Sequence, residues 1–214
     1  KSINTICNKS EINSHVKIGA CIHGLGHAFL SLANYNISTA LTYCNLFRDK
    51  GSIYYCATGV FMERDIVYGN EDKTQSNTHP CEMFDNFTIA CYRYKIRRVF
   101  PPNTNFREVA KFCLELDNLN ERRGCFHGLG FGFYRYVYNN PKLLSSLCSY
   151  GDNIEQRMCI EGAIGFISIL NTQIAKDACV NLNKELNKIC MDTINISTFI
   201  MFGTGRDFNL YLPT

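Results

Sequence analysis

The chain has no tryptophan, no C-x-x-C pair, no run of 18 apolar residues and no marked excess of charge of either sign. Without such an apolar run, nothing in it crosses a membrane as a helix. Without C-x-x-C or C-x-x-C-H, the common zinc, thioredoxin-type and haem-attachment readings fall away. A formal net charge of +3 over 214 residues is too small to argue for nucleic acid. No G-x-S-x-G, phosphate-loop or dinucleotide fingerprint appears, and GTGRD at 203–207 is too short to count. No catalytic residue is therefore assigned, and an enzyme is not the expected class. The sequence opens on Lys1 with no initiator Met and no secretory h-region, so a processed chain is expected. The missing tryptophan, set beside abundant Tyr, Asn, Ile and Lys, carries no functional information.

Charged residues make up 19% and hydrophobic residues 46%, the balance of a globular chain. The informative count is twelve cysteines, an even number scattered along the whole length. Four glycosylation sequons accompany them, at Asn8, Asn36, Asn86 and Asn195. Together these predict an oxidising location, secreted or extracytoplasmic, periplasm-like or at a cell surface.

The cysteines fall at Cys7, Cys21, Cys44, Cys56, Cys81, Cys91, Cys113, Cys125, Cys148, Cys159, Cys179 and Cys190. The gaps alternate short and long without exception: 14, 23, 12, 25, 10, 22, 12, 23, 11, 20 and 11. The first members of the short pairs recur every 31 to 37 residues, a period typical of helical-hairpin repeats. Stretches such as NISTALTYC, NFREVAKFC and NTQIAKDAC open on Asn and return apolar residues at three- and four-residue steps. Pro141 in NNPKLLSSLC fits a first helical turn. After the second cysteines come CIHGLGHAFLSLA, CATGVFMERDIVYG, CFHGLGFGFYRYVY and CIEGAIGFISIL. These are apolar on more than one face, as inner helices are.

Each repeat thus reads as helix, first cysteine, turn, second cysteine, helix. Twelve cysteines allow on the order of ten thousand pairings. Hairpin arms favour the short-gap pairs, because they bring the Cα atoms within the roughly 4.4–6.8 Å that a disulfide needs. Each such bridge is worth about 3 kcal/mol in the chain-entropy model. The competing register joins Cys21 to Cys44 and Cys56 to Cys81, and leaves Cys7 and Cys190 over. The expected fold is all-α, a solenoid of about six disulfide-stapled hairpins in a single domain, 1–214. The repeats lie near 7–43, 44–80, 81–112, 113–147, 148–178 and 179–214.

The period, the paired helices and the cysteine staples resemble tetratricopeptide-like α-hairpin repeats. The nearest form is the secreted cysteine-rich type with one disulfide per hairpin. Such repeats are mainly protein- or peptide-binding scaffolds. The resemblance therefore implies binding of a protein partner more than catalysis. The expected role is a scaffold, for instance an accessory subunit of a membrane-anchored or cell-surface complex, with a copper- or zinc-binding protein using His23 and His27 as the alternative.

Aligning the second cysteines sharpens the candidate sites. Two residues on come His23, Thr58, Arg93, His127, Glu161 and Asp192, all polar. They form either a ladder on a binding surface, joined by Arg97 of the basic stretch YRYKIRRVF at 92–100, or simply helix-end polar groups beside the staples, and the two readings stand level. Three residues on, glycine holds four of six places, at Gly24, Gly59, Gly128 and Gly162. Close helix approach is the expected reason, with room for a ligand the alternative. The loop at 68–80 is a candidate contact loop. His23 and His27 are four apart and share a helix face, so both can ligate one copper or zinc ion, with His127 a candidate third ligand. The glutamate of H-E-x-x-H is replaced by Gly24, which argues against a zinc protease. Non-reducing peptide mapping decides the register. Six short-gap bridges are expected, and recovery of Cys21 joined to Cys44 would refute them.

Overall fold

The computed structural model describes residues 6–7, 15–69, 76–100, 104–199 and 208–212. Among the described residues there are helices and turns and no strand, in line with the all-α reading. The helices are α1 (His15–Leu32), α2 (Ile37–Cys44), α3 (Lys50–Tyr68), α4 (Thr88–Val99), α5 (Phe106–Leu114) and α6 (Leu119–Asn139). Then come α7 (Leu143–Leu147), α8 (Asn153–Leu170), α9 (Thr172–Cys179), α10 (Lys184–Phe199) and α11 (Phe208–Tyr211).

Short polar side chains start these helices. Asn36, Asn105 and Asn171 cap α2, α5 and α9 through their side-chain oxygens. These caps satisfy backbone N–H groups that have no partner inside the helix. The longer helices α3, α6, α8 and α10 are preceded by Asp49, Asn118, Asp152 and Asn183. Each accepts from backbone N–H groups of the first turn. Asp152 and Glu155 complete a reciprocal capping box on α8. Two places depart from the expected pattern. The third repeat opens on 3-10 turns, Cys81–Met83 and Asp85–Phe87, instead of a helix. At the end of the fourth, Pro141 lies in a turn two residues ahead of the short α7 instead of in a first helical turn.

All twelve cysteines pair in the short-gap register: Cys7–Cys21, Cys44–Cys56, Cys81–Cys91, Cys113–Cys125, Cys148–Cys159 and Cys179–Cys190. No thiol is left free. Cα–Cα separations are 5.5 to 5.7 Å, inside the window that such a bond requires. Among the described residues no helix is long and apolar enough to cross a membrane.

The chain divides into two compact units, Lys1–Cys91 with Phe199–Thr214, and Tyr92–Thr198. The first is built on α1 packed against α3. Tyr211 of α11 adds an edge-on ring to Tyr54 at 4.9 Å. The second is built on α6 packed against α8. In both units the helix faces meet backbone to backbone. A methyl group on Gly26 would overlap the carbonyl oxygen of Cys56, and one on Gly59 that of His23. In the second unit a methyl on Gly130 would overlap the Cys159 oxygen, and one on Gly162 that of His127. Gly59 and Gly162 belong to the glycine column, as does Gly128, whose methyl would overlap the Tyr92 carbonyl oxygen, so close packing explains three of its four places. Gly26 and Gly130, two residues further along, do the same outside it. Gly24 differs, since a methyl there would meet nothing within 4 Å.

The two glycines of HGLG are thus expected to behave oppositely. Gly26→Ala must push α1 off α3 and should cost about 1–3 kcal/mol. Gly24→Ala relieves the helix penalty of glycine and should be neutral or stabilise by up to about 1 kcal/mol. Denaturant unfolding of the two variants checks this, and equal costs would refute the interlock.

Candidate functional site

The α1–α3 contact builds a polar relay in the first unit. His23 and His27 lie one turn apart on α1, and α3 presents Thr58 and Glu63 opposite them. Glu63 Oε2 lies 2.8 Å from His27 Nδ1, and Thr58 Oγ1 2.9 Å from His23 Nδ1. The two Nε2 atoms face each other at 3.1 Å, with the rings edge to face. Thr58 Oγ1 donates to the Tyr55 carbonyl at 2.7 Å, so it accepts from His23 Nδ1–H. The Glu63 carboxylate accepts from His27 Nδ1–H. Both outer nitrogens are therefore donors, and the two Nε2 atoms are within hydrogen-bond distance of each other, a contact that holds when a proton lies between them. Side chains as short as threonine span this gap only because Gly26 and Gly59 let the helix backbones touch. The relay is half-buried, with 28% of the His27 and 25% of the Glu63 side chain exposed.

The second unit keeps the packing and changes the chemistry. His127, the counterpart of His23, is fully buried. Phe131 stands where His27 stands. It meets Tyr94 and Phe166 at ring separations of 5.7 Å each, and the Arg93 guanidinium sits 4.1 Å above it. Tyr134 closes the cluster against Phe166 at 4.6 Å. Such edge-to-face and cation–π contacts favour a rigid aromatic patch.

The polar ladder expected on a binding surface is not an exposed one. Thr58 is 1% and Glu161 4% exposed, so both are removed from any partner. Thr58 serves His23, and Glu161 pairs with Arg157 at 2.8 Å. Asp192 is exposed and pairs with Lys188 one turn away at 3.0 Å, a contact worth little in water. The three-histidine metal set is likewise not assembled. His127 is enclosed, and among the described residues no three His, Cys, Asp or Glu side chains converge to hold an ion. Of the sequons, Asn36, Asn86 and Asn195 are exposed, and Asn8 lies outside the described residues, as does 70–75 of the candidate contact loop.

Arg97 is exposed, as expected. It lines a cleft between α4 and α6 with Ile96, Phe100, Gly132, Arg135 and Tyr136. Its volume of about 140 Å³ suits one or two side chains better than a cofactor. An apolar hollow of about 300 Å³ adjoins it, sharing Phe133 and Tyr136. Tyr136, 48% exposed, stands at both. Sequence reasoning named Arg97 on the α4 side of this face and missed its α6 side, although Tyr and Arg alternate in FYRYVY.

No protein-family model, curated protein or solved structure matches the chain.

The hydrogen-bond directions predict ring tautomers. Long-range proton–nitrogen NMR should find His23 and His27 both protonated on Nδ1. Thr58→Val should release that preference at His23 and leave His27 unchanged. A proton on Nε2 alone at His27 would contradict the relay.

Proposed function

We propose that the protein is an extracytoplasmic protein-binding scaffold of the tetratricopeptide-like, cysteine-rich hairpin type. It would serve as an accessory subunit on the outer face of a membrane-anchored or cell-surface assembly. The observation that carries this reading is the α4–α6 face of the second unit. There Arg97 and Arg135, both exposed, flank the cleft beside the half-exposed Tyr136. Arginine and tyrosine around an apolar pocket are the side chains that dominate protein interfaces. Their positive charge selects an acidic segment of a partner, with an apolar residue to fill the hollow. Six intrachain disulfides support the oxidising location such an assembly requires.

Affinity purification from the native source tests the proposal. The wild-type chain should retain a discrete partner, and Arg97→Glu with Arg135→Glu should weaken retention at least tenfold while leaving thermal unfolding unchanged. Equal retention by both chains would rule out this face. A native protein that carries no partner would rule out the scaffold.

A further inference from the structure

We infer that His23 and His27 form a two-nitrogen chelate for a divalent copper or zinc ion, oriented by Glu63 and Thr58 and open to solvent. Three observations carry this, and none depends on the scaffold reading. Both Nδ1 atoms are held by outer partners, at 2.8 Å from Glu63 and 2.9 Å from Thr58. A carboxylate or hydroxyl on the far nitrogen is how a metal-binding imidazole is usually fixed and made more basic. The two Nε2 atoms then face each other at 3.1 Å. With nitrogen–metal bonds of about 2.0–2.1 Å, two ligands span about 2.8–3.0 Å at a right angle and about 3.3–3.4 Å at a tetrahedral one. The observed gap lies between, so either geometry is reached by small ring rotations. Finally, every cysteine is bridged, which removes thiolates as competitors for the ion. Imidazole suits both ions, and the Irving–Williams order places copper above zinc.

Among the described residues no third His, Cys, Asp or Glu completes a cluster. The remaining coordination positions are therefore left to water or to a donor beyond the described residues. The partial exposure of His27 leaves room for either. A site of this kind binds exchangeably and exposes the ion. A fully enclosed structural metal does neither.

The disulfide-intact chain is titrated with Cu2+ and, separately, Zn2+ by calorimetry in a non-coordinating buffer. One ion per chain is expected, bound more tightly for copper. The His23→Ala, His27→Ala double variant should weaken binding at least a hundredfold, and Glu63→Gln or Thr58→Val about tenfold. A second measurement needs no variant. Substoichiometric Cu2+ should broaden the NMR ring signals of His23 and His27 before that of His79, which sits against Glu82 at 3.4 Å. Broadening centred on His79, or a double variant that binds as tightly as wild type, overturns the site. Absence of binding also overturns it, and assigns the facing nitrogens to a shared proton.

Discussion

The carbonyl oxygen of Cys56 rests against the bare Cα of Gly26, and that of Cys159 against Gly130. Around these two contacts the rest of each unit is arranged. The same cysteines reach the other way with their sulfurs, to Cys44 and to Cys148. One residue therefore docks a neighbouring helix through its backbone and ties off its own hairpin through its side chain. Glycine within a helix costs about 1 kcal/mol, and each staple offsets that with about 3 kcal/mol of lost unfolded-state freedom. Helices brought this close leave no space between their backbones, so the core consists of side chains around the contact: Leu30, Tyr54, Phe126, Leu129 and Ile160 are all fully buried.

The two units use the same contact for different ends. In the first, it brings Thr58 and Glu63 within reach of His23 and His27, and a half-exposed chain of nitrogen and oxygen atoms results. In the second, Phe131 replaces the second histidine, and the surroundings become aromatic and arginine-rich. Three positions differ between the two contacts: His27, Thr58 and Glu63 of the first give way to Phe131, Glu161 and Phe166 in the second. The proposed ion site rests on the first of these contacts, and the proposed docking face on the cleft of Arg97, Arg135 and Tyr136, which the buried Phe131 does not line.

Much of the fold was legible because its signals are local. A disulfide bridges only a narrow range of Cα separations, so alternating cysteine gaps reveal hairpin arms. Asparagine ahead of an apolar-periodic stretch marks a helix start, and Asn36, Asn105 and Asn171 do mark one. A further signal was present and unread. Asp49, Asn118, Asp152 and Asn183 stand seven residues ahead of their second cysteines and start the long helices. The site was less legible. Residues 54–61 of α3, 124–131 of α6 and 158–165 of α8 are buried without a break. A helix apolar all round offers no polar face from which its rotation can be read, so Thr58 and Glu161 passed for surface residues. Arg97 lies on the more strongly amphipathic α4, whose polar face can be read from its sequence, and it is exposed.

By itself the sequence determined the helical character, the disulfide register it favours and the one-turn spacing of His23 and His27, and it pointed to a recurring glycine position without saying which glycines are packed. These follow from bond lengths, the 3.6-residue period and the absence of a Cβ, which act between neighbours along the chain. The tertiary structure decided which polar residues are enclosed, that Glu63 and Thr58 anchor the histidine pair, and that Phe131 takes up Arg93. Those outcomes depend on what packs across from each side chain. The partner lies some 35 residues away, and local spacing says nothing about which face is turned towards it.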